Sequence, residues 1–283
     1  MSTTTEEPRV LAASTTTATP RRAAAHRARR IVLPALVLLA GLALWVAVTY
    51  LVLDERRRFL LPPPWAVAHT GLVDPNSRSA IAAALTQTAT VALTGLGVAV
   101  LVGVTIAVLM SQARWLEESI YPYAVIVQTL PIVAIVPLVG LWLGFNFSSR
   151  VIVCVVMSLF PIITNTLFGL KSADPGLHDL ATLHNASRWT RLRTIAFPNA
   201  LPAMFTGIRI AGGLSVIGAI VSDFFFRQGY PGIGRLLDIY RANLNYEGLI
   251  AAIFASSSLG IVVFWFIGWL GQRVTGAWTG PGR

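Results

Sequence analysis

Residues 79–113, SAIAAALTQTATVALTGLGVAVLVGVTIAVLMSQA, decide the fold class of this chain, because they contain no charged side chain. A helix crosses the hydrocarbon core of a bilayer with about 20 mostly apolar residues, at a rise of about 1.5 Å each. The stretch is long enough, and its most apolar part predicts a membrane-spanning helix at residues 81–110. The chain is therefore expected to lie in a membrane.

Similar apolar stretches lie on both sides of this helix. Together they predict an all-α polytopic membrane protein with six spans, at residues 31–53, 81–110, 120–143, 151–170, 205–226 and 248–270. Residues 31–276 form the transmembrane domain in this prediction. Residues 1–30 are rich in Ser, Thr, Ala and Arg and read as a disordered basic cytoplasmic tail, with a second short cytoplasmic tail at residues 277–283. The first span is too long for a secretory signal and is expected to be an uncleaved anchor.

The composition agrees with a lipid environment. Hydrophobic residues make up 55% of the chain and charged residues 12%, whereas soluble domains carry about 25% charged residues. The net charge of +10 could indicate nucleic acid, but the arginines lie at the ends and in the loops of apolar segments, which favours the membrane surface and no nucleic-acid partner. With the N-terminus inside, 13 Lys and Arg lie on the inner side and 8 on the outer side. We therefore expect a cytoplasmic N-terminus. The single cysteine excludes a disulfide framework and a cysteine-rich metal site.

The longest inner loop in this topology covers residues 172–204, SADPGLHDLATLHNASRWTRLRTIAFPNALPAM. Asp174, followed by proline, is typical of a helix start, and Asn185 stands where that helix should end because asparagine tolerates the left-handed conformation. Ser187 can cap a second helix, which Pro198 is expected to stop. The pattern predicts two short helices joined by a tight turn.

The second helix is expected to carry one apolar face. Trp189, Leu192 and Ile195 are spaced three residues apart, and Arg188 lies on another side. A DNA-binding helix-turn-helix is disfavoured, because the pair would be fixed between two membrane spans. An ordinary solvated loop with basic residues remains open on composition alone.

The first half of this loop resembles the "EAA" motif of binding-protein-dependent ABC importer permeases: Glu-Ala-Ala, three residues, Gly, nine residues, then Ile-x-Leu-Pro. Asp179 stands at the Glu position, Leu180 and Ala181 at the two Ala positions, and Asn185 at the Gly position. Aspartate keeps the carboxylate, and asparagine keeps access to positive φ at some cost relative to glycine.

The rest of the loop follows the same motif. Ile195, Phe197 and Pro198 occupy its closing positions, and Pro202 and Arg209 match the family's usual run into the fifth span. The resemblance implies an ATPase-coupling role for the following residues: Asp179, Ala181, Asn185, Arg188, Trp189, Leu192, Ile195, Pro198 and Pro202.

Three more segments resemble the sulfonate, taurine, nitrate and thiamine-precursor branch of this family. They are residues 59–67 (FLLPPPWAV), 129–145 (TLPIVAIVPLVGLWLGF) and 218–234 (GAIVSDFFFRQGYPGIG), the last with Asp223 where Glu is usual. The resemblance implies the permease subunit of an ATP-driven importer in the plasma (inner) membrane of a prokaryote. It implies a homodimer that works with separate ABC ATPase subunits and an extracytoplasmic substrate-binding protein. The substrate stays open among sulfonates, taurine, nitrate, thiamine precursors and flavins.

The chain is expected to be no enzyme and to hold no cofactor itself. A phosphate-binding P-loop needs Gly-Lys-Ser/Thr, and the single lysine, Lys171, follows a leucine. ATP is therefore expected to bind to a partner subunit. A secondary transporter is the alternative; it should show internal repeats and coupling-ion residues at mid-membrane, and neither is evident. A membrane enzyme would need clustered His, Asp, Glu or Cys.

The candidates for the substrate path or its gate are Arg209, Asp223, Pro131 and Pro137. Arg209 and Asp223 are the ionisable residues inside the predicted spans, and about 21 Å of helix separates them, so they should not pair within one helix. Arg209 either extends its charged end to the inner membrane surface or contributes to the substrate path. Asp223 either makes a structural contact at the outer face or forms part of a gate. Pro131 and Pro137 are expected to break the third span, for packing or to line a pore.

The outer loop before the sixth span carries a further apolar pattern. Ile233, Leu236, Leu237, Tyr240 and Leu244 fit one face of a helix, which is expected to lie in the membrane interface near the outer gate.

Overall fold

The computed structural model describes the backbone of residues 20–226 and 231–276 and the side chains of residues 32–226 and 231–276. Every regular element in these ranges is helical, so the all-α prediction is confirmed for them. The α-helices are α1 (Pro20–Ala47), α2 (Pro64–Ala68), α3 (Pro75–Gln112), α4 (Arg114–Thr129), α5 (Ile132–Leu143), α6 (Phe147–Lys171), α7 (Pro175–Leu183), α8 (Arg188–Arg191), α9 (Phe197–Phe225), α10 (Ile233–Ala242) and α11 (Tyr246–Thr275). Short π-helical turns follow α1, α2 and α8, at Val48–Val52, His69–Val73 and Leu192–Ala196.

The chain divides into two compact units, Met1–Arg58 and Phe59–Arg283. In the first unit, the apolar segment Val32–Val52 is long enough to cross a membrane. The start of α1 differs from the prediction, because residues 20–30 form its first turns instead of belonging to a disordered tail. Residues 1–19 of that predicted tail lie outside the described residues.

The second unit is built around four long helices, α3, α6, α9 and α11. Their shared core is made of small and medium apolar side chains, among them Val91, Ala99, Ile162, Ala211 and Val263. Small residues let helix backbones approach closely where no hydrophobic effect drives helices together in lipid. At Gly207, for example, an added Cβ would collide with the carbonyl oxygen of Pro161, so α9 lies directly against α6.

The third predicted span is a broken helix pair. The axes of α4 and α5 differ by 100° across the break at Leu130 and Pro131. α4 begins beside the end of α6, where Glu117 pairs with Lys171, and α5 packs against the start of α6 through Val136 and Val139. The pair therefore runs from one end of α6 to the other, and with it counted as one span the described residues hold six segments long and apolar enough to cross a membrane.

Only one of the two prolines breaks this span as predicted. Pro131 stands at the break and precedes the first residue of α5, where a missing N–H costs nothing. Pro137 lies inside α5, which runs through it to Leu143 without interruption, so the prediction that it breaks the span is wrong.

Several helices extend beyond the predicted spans. α3 is longer than 81–110 at both ends, α6 is longer than 151–170, and α11 runs past residue 270 to Thr275. α9 begins eight residues earlier than the predicted start at 205. Hydropathy locates the lipid-facing part of a helix, whereas caps and backbone hydrogen bonds decide where it ends.

α10 packs within the second unit on its apolar face, and its location in the membrane interface stays a prediction. Ile233, Leu236, Leu237 and Tyr240 are buried, and the helix packs against α3, α9 and α11. Leu244 lies after the helix, at φ 56° and largely exposed, and does not share the apolar face. The predicted face was thus mostly correct, but protein covers it in place of lipid.

Two ends of the second unit are named below by the helices they carry. The α7 side holds the ends of α3 and α6 and the beginnings of α4 and α9. The α10 side holds the beginnings of α6 and α11 and the end of α9. These names locate the site residues relative to the bilayer.

Candidate functional site

The loop between α6 and α9 forms the two capped helices that its sequence predicts. The Asp174 side chain accepts a hydrogen bond from the backbone N–H of Gly176 at 2.7 Å and begins α7, and the following proline occupies the first turn. α7 ends at Leu183, and Asn185 adopts φ 48° in the turn that follows. The backbone N–H of Ala186 then bonds to the carbonyl of Ala181 at 2.9 Å and closes the turn.

The second helix has a shorter regular α-helical part than predicted, but the helical backbone continues beyond it into α9. Ser187 caps α8 by accepting from the N–H of Thr190 at 3.1 Å, as predicted. The π-helical turn Leu192–Ala196 then joins α8 to α9 without a break. Pro198 lies in the first turn of α9, so the prediction that it stops the helix is wrong. α8 is therefore continuous with a helix long and apolar enough to cross a membrane.

The predicted apolar face of this second helix is not one face. Trp189 is 68% exposed, Ile195 is half-buried, and Leu192 is buried against Leu170 and Ala196. Residues three apart on an α-helix differ by about 60° around its axis, so the three side chains spread over about 120° and packing covers only part of them. Leu192 therefore belongs to the core and holds the loop to α6.

The exposed apolar residues of this loop lie mainly on α7. Leu177, Leu180 and Leu183 follow one another at three-residue spacing and are 48%, 57% and 81% exposed. Together with Trp189 they are named here the leucine face. The sequence prediction missed the three leucines as a face, although their spacing on a capped helix was a readable signal.

The other predicted residues of the loop have varied surroundings. Asp179 and Arg188 are exposed, whereas Ala181 is buried on the side of α7 that faces the protein. Pro202 lies inside α9 and is exposed. The loop thus has one side packed on the membrane domain and one side open.

At the α10 side, Asp223 is fully buried and forms an ion pair with Arg150 of α6, with 3.1 Å between the charged groups. Asp223 also accepts a hydrogen bond from the hydroxyl of Thr88 in α3 at 2.7 Å. Arg150 donates a second bond to the carbonyl oxygen of Phe226 at 3.1 Å. Burying a charge is expensive unless it is paired and hydrogen-bonded, and here both conditions hold.

The sequence prediction counted Arg150 among the basic residues of the outer side and gave it no partner. Arg150 is the fourth residue of α6 and is 6% exposed. It is separated from Asp223 by 73 positions, so no local pattern could pair them. An arginine a few residues after a span's start resembles an interfacial residue in sequence, and only the packing of α6 on α9 shows its partner.

α10 closes the same cluster from the outside. The hydroxyl of Thr88 accepts a hydrogen bond from the backbone N–H of Ile233 at 2.8 Å, so the start of α10 is tied to α3. An added Cβ at Gly232 would collide with the carboxylate of Asp223, and one at Gly234 with the backbone carbonyl of Ile220. The glycines allow the chain to pass directly over the buried carboxylate. Arg150, Asp223, Thr88 and the start of α10 are named here the charge cluster.

Arg209 lies far from this cluster, on the part of α9 nearer the α7 side. Its guanidinium carbon lies 3.8 Å above the centre of the Phe264 ring of α11. Arg209 and Asp223 therefore make no pair, as predicted from their spacing. Within the described side chains, no group of three or more His, Cys, Asp or Glu residues is arranged to hold a metal ion.

Comparison with known proteins agrees with this architecture. Residues 95–276 match the family model described as "Binding-protein-dependent transport system inner membrane component". The chain is 31% identical over 227 residues to the riboflavin transport system permease protein RibX of Chloroflexus aurantiacus, covering 78% of this chain and 81% of RibX. It is 31% identical over 206 residues to the formylaminopyrimidine transport permease protein ThiX of Halalkalibacterium halodurans, covering 73% of this chain and 81% of ThiX.

Among solved structures, the fold is similar to the inward-facing MetNI methionine ABC transporter, with a TM-score of 0.61 at 16% identity over 74% of this chain and all of that chain. A structure of an amino acid ABC transporter gives a TM-score of 0.59 at 15% identity over 70% of this chain and 95% of that chain. At these identities the two structures show the shared fold. The family match and the two permease relatives show that this chain belongs to the inner membrane components of binding-protein-dependent transport systems, the permease subunits of ABC importers.

Proposed function

We propose that the leucine face of α7 and α8 is the surface on which a separate ABC ATPase docks to drive this permease. The observation that carries the proposal is the exposure of Leu180, Leu183 and Trp189 on a loop that is otherwise capped and held in place. Clustered exposed apolar side chains rimmed by polar residues mark interaction sites. Asp179 and Arg188 are exposed on the same two helices and supply polar contacts around it.

The chain requires such a partner because its sequence lacks a P-loop. Lys171 is the single lysine, and it pairs with Glu117 at the end of α6. The continuity of α8 with α9 then supplies the mechanical link. A movement of the docked ATPase displaces α8, and the displacement passes along α9 towards the charge cluster without crossing a loop.

The α7 side is cytoplasmic in this proposal, and so is the N-terminus. The excess of Lys and Arg that the sequence predicts for the inner side, 13 against 8, supports this orientation. The α10 side then faces the extracytoplasmic binding protein that delivers the substrate. Six spans supply half of a symmetric path, and the proposed functional unit is a homodimer.

Two predicted path residues receive roles in the same proposal. The 100° bend at Pro131 interrupts the helix, and non-helical backbone at membrane depth is tolerated where it is buried in protein or lines a cavity, so we assign the bend to the substrate path. Asp223, through its pair with Arg150, holds the ends of α3, α6, α9 and α10 together and acts as a fixed part of the outer gate.

The substrate we propose is a small heteroaromatic solute of the flavin or pyrimidine type. RibX and ThiX each match more than 70% of this chain at 31% identity, whereas the match to an aliphatic sulfonate permease of Escherichia coli covers 52%. Titration calorimetry of the cognate extracytoplasmic protein with riboflavin, a formylaminopyrimidine and an aliphatic sulfonate checks this. Saturable binding of the sulfonate alone would refute the heteroaromatic class.

The docking proposal is tested with Leu180→Asp. A charge in the middle of an apolar contact must be desolvated, so the variant is expected to lose ATPase during co-purification and to lose ATP-dependent uptake in vesicles. The isolated variant should unfold at the wild-type temperature, because Leu180 is 57% exposed.

Ser119→Asp is the matched control. It adds the same charge at an exposed position of α4, a helix that begins at the α7 side. It is expected to retain the ATPase and to transport normally. The proposal is wrong if Leu180→Asp retains the ATPase as well as this control does.

A further inference from the structure

Arg209 is a charged residue within a membrane span, and it has no polar partner among the described residues. Its guanidinium rests on the ring of Phe264, and its Nε is buried without a hydrogen bond in the part of the chain that the structure describes. A cation over an aromatic ring gains far less than a full set of hydrogen bonds would supply. An ionisable group in this position points to a ligand that carries negative charge.

The depth of Arg209 follows from its neighbours on α11. A Cβ added at Gly268 would lie 3.1 Å from Nε of Arg209, so the guanidinium lies at the level of Gly268. Trp265 and Trp269 flank this glycine and are 70% and 51% exposed. Trp and Tyr concentrate at both membrane boundaries, and Tyr246 stands at the other end of α11.

The aromatic residues of α11 are separated by one bilayer thickness. Trp265 follows Tyr246 by 19 positions, a rise of about 29 Å along the helix, close to the hydrocarbon thickness of about 30 Å. Arg209 therefore lies at the membrane boundary of the α7 side. This is the level at which lipid phosphates meet the first carbons of the acyl chains.

An apolar groove leads from Arg209 towards the middle of the bilayer. It lies between α9 and α11, has a volume of about 390 Å³, and is lined by residues that include Gly213, Ile217, Gly260 and Ile261. Phe264 lines the groove and also carries the guanidinium of Arg209, so the charge stands at one end of the apolar surface. A Cβ added at Gly213 would meet no atom within 4 Å, which leaves room for a chain of methylene groups.

We propose that Arg209 and this groove bind one acidic phospholipid, with its phosphate on the guanidinium and an acyl chain between α9 and α11. The leaflet rests on the proposed function: if the α7 side is cytoplasmic, the lipid belongs to the inner leaflet. The charge at the boundary and the apolar lining beyond it match the two parts of such a lipid. Basic pockets between membrane helices on the cytoplasmic side bind acidic headgroups in the same way.

The test measures lipid retained by the purified complex. The full-length chain with its ATPase is exchanged into vesicles of equal parts phosphatidylglycerol and phosphatidylcholine, re-purified, and the bound lipids are counted by mass spectrometry. Wild type is expected to retain phosphatidylglycerol preferentially. One charge contact near the surface contributes about 1 kcal/mol, so Arg209→Gln should lower that preference about fivefold.

Two variants separate the site from general charge and from misfolding. Arg114→Gln removes an arginine that is exposed on the α7 side and paired with Glu118, and it should leave the preference unchanged. Gly213→Leu fills the groove while keeping Arg209, and it should reduce retained lipid of both kinds. If Arg209→Gln does not fold, Gly213→Leu still tests the groove.

Equal phosphatidylglycerol preference in wild type and Arg209→Gln, or unchanged retention in Gly213→Leu, would overturn the proposal. So would a raised KM for substrate in Arg209→Gln with lipid retention intact, because the anion would then be the substrate. Failure of the proposed function looks different. Wild type would then show no ATP-dependent uptake in any lipid mixture, whatever lipid it retains.

Discussion

The leucine face and the charge cluster lie at opposite sides of the same membrane domain. Proteins usually bury large apolar side chains and expose charged ones, and each of these two sites departs from one half of that rule. The leucine face places large apolar side chains in water, with Leu183 81% exposed. The charge cluster places a carboxylate and a guanidinium inside the protein, with Asp223 at 0% and Arg150 at 6% exposure. We propose that a partner completes the first arrangement, whereas the second finds its polar partners within the chain.

Under the proposed function, this difference separates the residues that hold the protein together from those that contact another subunit. Each polar group of Asp223 finds its partners on α3 and α6, so the α10 side is held together internally. The loop carrying the leucine face is held internally on one side, by Leu192 and Ala181, and leaves the other side uncovered. Mutations at the two sites should therefore affect different properties, stability in one case and assembly in the other.

The largest effect is expected from breaking the buried pair. Arg150→Met leaves the charge of Asp223 buried without its counter-ion, and removing one partner of a buried pair costs about 3–5 kcal/mol of unfolding free energy. Thermal unfolding of the full-length protein in detergent measures the loss. The double variant Arg150→Met/Asp223→Leu should recover much of it, because no charge is then left unpaired.

Arg114→Met is the control for this pair, because Arg114 is 89% exposed and its ion pair with Glu118 is on the surface. Surface pairs contribute about 0–1 kcal/mol, so little change is expected. If Arg150→Met is no less stable than Arg114→Met, the charge cluster does not hold the α10 side together.

A smaller loss of stability is expected from truncating Leu192, and almost none from truncating Leu183 in the same loop. Leu192→Ala removes a buried side chain from the contact with Leu170, and such truncations cost about 2–5 kcal/mol. Leu183→Ala removes an exposed one, and stability should change by less than about 0.5 kcal/mol while ATPase co-purification weakens. Unfolding and co-purification are measured on both variants. Similar stability losses in the two would contradict the division of the loop into a packed and an open side.

The smallest effect concerns the start of α3 on the α10 side. Asp74 caps this helix by accepting a bond from the N–H of Ser77 at 3.0 Å, and hydrogen bonds from Ser77 lower the pKa of Asp74 from its ordinary value of 3.8. A lowered pKa in the folded state stabilises the fold above pH 3.8, and the contribution is lost as the pH falls through the lowered value.

Asp74→Ala should therefore lower the unfolding temperature at pH 7 by less than either change above. Asp74→Asn keeps the cap without the charge and should retain most of the stability at pH 7 while losing the acid dependence. Thermal unfolding between pH 3 and pH 7 checks both. An identical pH profile in wild type and Asp74→Asn would contradict the assignment.

The sequence predicted the caps of the loop more accurately than its faces. Asp174, Asn185 and Ser187 act where they were placed, because capping depends on neighbours two to four residues away. The face prediction for Trp189 and Leu192 was wrong, because Leu192 packs on Leu170 of α6 while Trp189 stays exposed. Spacing within the loop does not reveal which part of the helix surface α6 covers.

Sequence alone determined the membrane location, the six crossings, the capped loop and the family, because each depends on composition, apolar length or short-range spacing. Tertiary structure alone decided that Arg150 pairs with Asp223, that α10 is covered by protein, and that Leu192 points inward while Leu183 stays exposed. The physical reason is distance along the chain. A span is recognised from its own residues, whereas the partner of a buried charge is chosen by how whole helices pack.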